Sequence, residues 1–233
     1  KLSRILAEKL APSLIEVVTR GAHLCKADLM TSMVGEFPSL QGTMGAAYAA
    51  HSGESSEVAL AIKEHYMPKR AGAELPSSDA GAIVGLADRI DTLAGCFGIG
   101  QVPTGTADPF GLRRLALAVL HILAEKNYQL SLAEIFRKSL ALYGEKVDGS
   151  SATVAGLLSF VRGRFENDVI AQGCESGIVE AVTSIGFDDA CDALTRIQSL
   201  TAIRQEDAFS VLAASYKRIR NISVAFLVFL IIV

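Results

Sequence analysis

The chain has 233 residues, 50% of them hydrophobic, and a formal net charge of -3 at pH 7. Its length and apolar content suit one or two globular domains, and its charge argues against a general nucleic-acid coat, so contact with nucleic acid would need a local basic patch. The four cysteines have no CxxC spacing and stand among small or apolar neighbours, which favours free thiols in a reducing, cytoplasmic setting.

Helical periodicity begins at the first residues. Apolar positions from Leu2 to Leu14 recur every three or four residues, which predicts that the chain opens inside an amphipathic helix. The chain starts without a methionine or a signal sequence, so we expect a fragment of a longer protein. A second helix is predicted over the apolar residues from Val58 to Tyr66.

The rest of the chain continues the helical pattern. Helices are predicted over residues 112–123, 153–165, 178–185 and 190–204, and another between Ser131, its N-cap, and Gly144, its C-terminal stop. No alternating run of useful length predicts a strand, so the predicted fold class is all-α. Residues 98–109 contain three glycines and two prolines, which interrupt the helices and predict a domain boundary.

The end of the sequence is almost wholly apolar over residues 223–233. As a helix this tail would span about 16 Å, whereas the hydrocarbon of a bilayer is roughly 30 Å thick. We therefore expect no membrane anchor.

Three segments carry a resemblance to a known family. They are KADLMTSMVGEFPSLQGTMG at 26–45, EHYMPKRAGAELP at 64–76 and LADRIDTLAGCFGIGQVPTGTADPFGLRR at 86–114. Together they resemble the beta subunit of the bacterial heterotetrameric glycyl-tRNA synthetase, and the likeness runs from about Cys25 to Asn221. The chain is thus identified as a C-terminal fragment of such a subunit, with the tail departing from the family just after Ile222.

The resemblance implies a domain organisation and a function. Residues 1–105 would form a helical domain like those of the HD phosphohydrolase superfamily, residues 106–222 a helical anticodon-binding-like domain, and residues 223–233 a tail of uncertain origin. The whole enzyme would attach glycine to its tRNA using ATP with magnesium, with the aminoacylation site on the alpha subunit of an alpha2-beta2 heterotetramer. This fragment would bind and position tRNA, hold no cofactor and be inactive alone.

The HD resemblance raises the question of a metal site. Asp88 matches the distant aspartate of HD proteins, and Asp28 matches the aspartate of their His-Asp pair, but Ala27 stands where the histidine would be. His65 is a further candidate near such a cavity. Without its imidazole ligand the set suits a transition metal poorly, so we expect these residues to be remnants. A metal-dependent HD-type phosphohydrolase remains the alternative function.

Basic residues give the candidate RNA contacts. Lys217, Arg218 and Arg220 fall on about one helical turn, as suits neutralisation of RNA phosphates, although a solvated helix face would look the same. Two pairs could extend this surface if their helices pack side by side: Arg113 with Arg114, and Arg162 with Arg164. A structural spacer that docks on the catalytic subunit is a third possibility. No catalytic residue is predicted.

Overall fold

A computed structural model of the chain describes residues 1–70, 72–206, 209, 211–212, 214–216 and 218–219. Over this part of the chain the regular structure is helical, and an isolated β-bridge pairs Thr104 with Ala107. The predicted all-α class is confirmed. Within the same residues, no helix has both the length and the apolar character required to cross a membrane. The apolar tail at 223–233 lies outside them.

The described helices follow one another along the chain, with the longest connections at residues 65–78 and 99–111. The α-helices are α1 (Leu2–Leu10), α2 (Ile15–Leu24), α3 (Ser32–Glu36), α4 (Thr43–His51), α5 (Ser56–Glu64), α6 (Asp79–Gly98), α7 (Leu112–Lys126), α8 (Leu132–Tyr143), α9 (Ser151–Ala171), α10 (Ser176–Ile185) and α11 (Ala190–Ile203). Short 3-10 helices at Pro12–Leu14, Ala27–Met30, Pro38–Leu40 and Gly144–Lys146 lie between them.

The predicted helix ends agree with the structure in α8. The Ser131 hydroxyl accepts a hydrogen bond from the backbone N–H of Glu134, so it caps the first turn. Gly144 ends the helix with a φ of 62°, a left-handed value that glycine adopts without steric cost. Both terminal signals in the sequence are therefore confirmed.

The predicted opening helix is interrupted. α1 ends at Leu10, and Ala11 turns out of the helix with φ -154° and ψ 75°. Pro12 causes the break, because proline disfavours helical geometry in the residue before it and has no N–H to donate to the preceding turn. Leu14 therefore belongs to a short 3-10 helix and precedes α2, so the single helix predicted through this residue is wrong.

Helix α6 lies at the centre of the fold. Most of its residues are buried, and it packs against α1, α2, α5, α7, α8 and α9. One continuous hydrophobic core therefore extends from Leu2 in α1 to Ile197 in α11, on both sides of the connection at 98–109. The proposed division between residues 105 and 106 stays a prediction, and α6 links the helices that precede and follow it.

All four cysteines are free thiols, as predicted. Burial raises the pKa of Cys25 and of Cys191 to about 11, with smaller contributions from neighbouring acids. Both thiols therefore stay protonated at neutral pH and serve as small apolar core residues.

Two glycines bring α5 close to α6. A Cβ at Gly81 would lie 2.6 Å from Cβ of Glu64, and a Cβ at Gly85 would lie 2.9 Å from the carbonyl oxygen of His65. Both distances are shorter than real Cβ contacts allow, so only glycine lets the end of α5 sit against α6 at this depth. This approach positions the residues of the candidate site.

Candidate functional site

Glu64 fastens the end of α5 to the start of α6. Its Oε1 accepts hydrogen bonds from the backbone N–H of Ser77 at 3.0 Å and from the Ser77 hydroxyl at 2.6 Å. Its Oε2 accepts the matching pair from Ser78, at 2.9 Å and 2.5 Å. Burial disfavours the charged carboxylate, but these four bonds outweigh it and the pKa of Glu64 lies below its usual value. The carboxylate is therefore ionised at neutral pH.

Arg89 holds the segment that follows α5. It is 5% exposed, and its Nη1 donates to the carbonyl oxygens of His65 at 2.8 Å and Gly85 at 2.9 Å. Its Nη2 donates to the Met67 carbonyl at 2.8 Å. Burial lowers the pKa of this guanidinium, but an arginine side chain stays protonated at neutral pH. A buried positive charge therefore lies beside residues 65–67.

His65 is fully buried next to this charge. Its Nδ1 lies 2.6 Å from the carbonyl oxygen of Ile62. A carbonyl only accepts, so Nδ1 carries the proton and Nε2 is left with a lone pair. Burial lowers the pKa of the imidazole, which makes it neutral at pH 7, and its ring lies 3.7 Å from the ring of Tyr66, centre to centre.

His65 and Arg89 line a cavity of about 460 Å³ between the end of α5, α6, α7 and the Pro38–Leu40 turn. Asp88 and Arg89 contribute the α6 wall, and Arg114 contributes the α7 rim. The full lining consists of Pro38, Ser39, Gln41, His65, Tyr66, Pro68, Lys69, Asp88, Arg89, Arg114, Leu115 and Ala118. The structure thus places two of the three metal candidates, His65 and Asp88, beside one of the RNA candidates, Arg114.

The third metal candidate, Asp28, is engaged elsewhere. It is 1% exposed, and its Oδ2 accepts from the backbone N–H groups of Gly42 at 2.7 Å and Gly45 at 3.2 Å. Gly45 is needed for this contact, because a Cβ there would lie 3.0 Å from the same oxygen. Asp28 therefore fixes the start of α4 and is not among the cavity-lining residues.

Asp88 forms an ion pair with Lys26, whose ammonium lies next to its Oδ1. Across the described residues, no group of three or more histidine, cysteine or acidic side chains is arranged to hold a metal. Asp28 Oδ2 binds two backbone amides and Asp88 binds an ammonium, so among the buried candidate donors only Asp28 Oδ1 and His65 Nε2 lack a partner in the described residues, which is fewer than a metal site needs.

The four candidate arginines on α7 and α9 differ in their partners. Arg113 donates from Nη2 to the Gly105 carbonyl at 2.7 Å and lies 4.0 Å from Asp108, whereas Arg114 is exposed at the cavity rim. Arg162 pairs with a glutamate one turn along α9 at 2.7 Å.

Arg164 lies 6.0 Å from the centre of the Phe160 ring, within the range of a cation–π contact. Helices α7 and α9 do pack together, as a shared basic surface would require. Arg218 is exposed, while Lys217 and Arg220 lie outside the described residues.

Sequence reasoning missed three basic residues of this site. Lys26 stands two residues before Asp28, Lys69 lies in the segment MPKRAG, and Arg89 follows Asp88 directly. Each lies within a segment that carries the family resemblance, but no spacing rule joins an ammonium in the turn before residue 28 to a carboxylate on α6. The three residues come close together only because α6 packs against the helices around it.

Fold and site together define an all-helical protein with a cation-lined cavity and arginines on two adjacent helices. A family model described as glycyl-tRNA synthetase beta subunit matches residues 1–184. The chain therefore belongs to the glycyl-tRNA synthetase beta subunit family, as its three segments predicted.

Individual relatives agree with the family match. The chain is 49% identical over 223 residues to the glycine–tRNA ligase beta subunit of Geobacter sp. strain M21, 48% identical over 223 residues to that of Citrifermentans bemidjiense, and 47% identical over 218 residues to that of Syntrophotalea carbinolica. These alignments cover 95%, 95% and 93% of this chain but 32% of each relative. The chain thus spans about a third of the length of these proteins.

Proposed function

We propose that this chain is the part of a glycyl-tRNA synthetase beta subunit that binds and positions glycine tRNA. The supporting observation is the family match over residues 1–184, with close relatives that are named as the beta subunit of a glycine–tRNA ligase. In this proposal the whole enzyme attaches glycine to tRNA at the expense of ATP, with magnesium, in the cytoplasm. The aminoacylation site lies on the alpha subunit, and two copies of each subunit form the enzyme.

The proposed RNA contacts are the seven basic residues predicted from the sequence, namely Arg113, Arg114, Arg162, Arg164, Lys217, Arg218 and Arg220. Their existing ion pairs indicate which of these residues should contribute most to tRNA binding. A cation that already faces a carboxylate gains less from a phosphate, because binding must first replace an existing partner. We therefore expect the exposed Arg114 and Arg218 to contribute more than Arg113 and Arg162, which lie near Asp108 and Glu166.

The alternative, a metal-dependent HD-type phosphohydrolase, has less support. It would need Asp28, His65 and Asp88 to point donor atoms at one cation. In the described residues Asp28 Oδ2 faces two backbone N–H groups and Asp88 faces the Lys26 ammonium. Two buried donor atoms of the set have no protein partner in these residues, Asp28 Oδ1 and His65 Nε2, and two donors are too few for a stable metal site. We therefore propose that these residues are structural remnants and that no metal is held here.

Steady-state kinetics of the assembled enzyme tests the proposed function. The triple variant Lys217→Ala, Arg218→Ala, Arg220→Ala should raise KM for tRNA more than it lowers kcat, because a phosphate contact serves ground and transition states alike. Arg137→Ala is the matched control, since Arg137 is an exposed cation on α8 outside the proposed set. An unchanged KM for tRNA in the triple variant, with normal helicity and subunit assembly, would refute the RNA role of this cluster.

A further inference from the structure

More positively charged than negatively charged side chains line the cavity. Lys69 and Arg114 are exposed residues of its lining, and Arg89 is a buried cation in its wall. Asp88 is the one acidic residue among the lining residues that the structure describes, and it is paired with Lys26. Three lining cations therefore face one carboxylate that is already neutralised, so the cavity presents a net positive charge to anything that enters it.

The wall also contains polar atoms without a protein partner. Both Nε2 of the fully buried His65 and Nε of Arg89 have no hydrogen-bond partner among the described residues. Buried polar groups are normally paired, so a ligand or solvent is expected to complete these two: Arg89 Nε can donate, whereas His65 Nε2 carries no proton and can only accept, from a protonated phosphate oxygen or a ligand hydroxyl. Ser39 and Gln41, on and beside the Pro38–Leu40 turn, add polar side chains to the lining.

We propose that this cavity binds a phosphate monoester without a metal ion. Lys69 and Arg114 supply the charged donors that phosphate oxygens require, and a guanidinium can engage two of those oxygens at once. The remaining lining includes Pro38, Pro68 and Leu115, which offer an apolar surface to the group that carries the phosphate. A volume of about 460 Å³ falls in the range of small-molecule sites, so a nucleotide-sized ligand fits.

Lys26 has a specific part in this site. It is not a lining residue, but its ammonium neutralises Asp88, which would otherwise repel the phosphate. In this site the lysine would screen the carboxylate from the phosphate, as a divalent cation does in sites that contain both groups. Removing Lys26 should therefore weaken phosphate binding although the side chain touches no ligand.

Equilibrium dialysis tests the proposal with the full-length protein that contains this chain, in buffer with EDTA. The probes are adenosine 5′-monophosphate and adenosine, which differ by the phosphate. The monophosphate should bind at least about tenfold more tightly, and Lys69→Ala, Arg114→Ala and Lys26→Met should each weaken it by about tenfold, as expected for loss of one charged contact. Arg137→Ala, on the exposed side of α8, should leave its Kd unchanged within about twofold.

Two results would overturn the proposal: equal binding of the monophosphate and adenosine, or binding of the monophosphate that all three variants leave unchanged. Circular dichroism and unfolding midpoints of the variants exclude misfolding as the cause of a loss. A normal Kd in Lys26→Met alone would refute the role given to Lys26, and with it the charge argument for the site.

The phosphate could come from a free nucleotide or from the end of an RNA chain. Saturating 5′-phosphorylated tRNA that displaces the bound monophosphate would assign the site to RNA, whereas simultaneous binding would assign it to a free nucleotide. The cavity proposal shares Arg114 with the proposed tRNA function, but the two are tested by separate measurements of monophosphate binding and tRNA binding. A protein that binds tRNA but no monophosphate refutes the cavity alone, and one that binds monophosphate but no tRNA refutes the tRNA function alone.

Discussion

Glu64→Gln should destabilise the fold by about 3 kcal/mol, because the carboxylate joins two helices through four hydrogen bonds. A glutamine side chain keeps one acceptor oxygen and turns its amide N–H₂ towards the other serine. That exchange removes up to two bonds to a charged acceptor, each contributing about 1.5–3 kcal/mol, and leaves a backbone N–H of the α6 N-terminus without its partner. Glu64 is 5% exposed, so water replaces little of the loss.

Urea unfolding followed by far-UV circular dichroism measures this cost. The pKa of Glu64 is depressed in the folded protein, so its contribution is present above the usual carboxyl pKa of 4.5 and is lost as pH falls through the lower folded value. The difference between wild type and Glu64→Gln should therefore shrink below about pH 4. Glu180→Gln, an exposed control on α10, should change stability by less than about 0.5 kcal/mol. Equal stability of wild type and Glu64→Gln at pH 7 would refute the account of this contact.

Three further substitutions test how the helices are packed and capped. Gly85→Ala should cost about 1–3 kcal/mol, because the added Cβ meets the His65 carbonyl oxygen, whereas Gly163→Ala, with open space around it in α9, should be neutral or stabilising by up to about 1 kcal/mol. Thermal unfolding compares the two, and equal effects would contradict the close approach. Ser131→Ala should lower the unfolding free energy by about 1 kcal/mol in urea, and no change would show that the cap is dispensable.

The sequence predicted the helices well because their signals are local. Apolar spacing and the caps at Ser131 and Gly144 involve residues within one or two turns, so α8 could be placed almost to the residue. The predicted opening helix is too long, because the apolar spacing continues past Pro12 whereas the helical backbone is interrupted there. Likewise Ile185 continues the apolar spacing of α10 but stands 85% exposed at its end, where no neighbouring helix covers it among the described residues.

The candidate site was predicted less completely, for physical reasons. The resemblance identified Asp28 and Asp88, but their partners come from other elements, the start of α4 for one and Lys26 for the other. The surroundings of each arginine depend on tertiary neighbours as well: Arg114 reaches the cavity rim, while its neighbour Arg113 donates to the loop carbonyl of Gly105. Such contacts join distant segments of the chain, so they cannot be predicted from the spacing of residues along the sequence.

The salt dependence of tRNA binding shows whether the proposed basic residues contact the tRNA phosphates. With the full-length protein, the logarithm of the association constant should fall linearly with the logarithm of salt concentration, with a slope of roughly -0.9 for each duplex phosphate that is neutralised. The Lys217→Ala, Arg218→Ala, Arg220→Ala variant should reduce the slope by about one unit for each lost contact, and Arg137→Ala should not. A flat salt dependence, or identical slopes for the wild type and the triple variant, would contradict the assignment of these basic residues to tRNA.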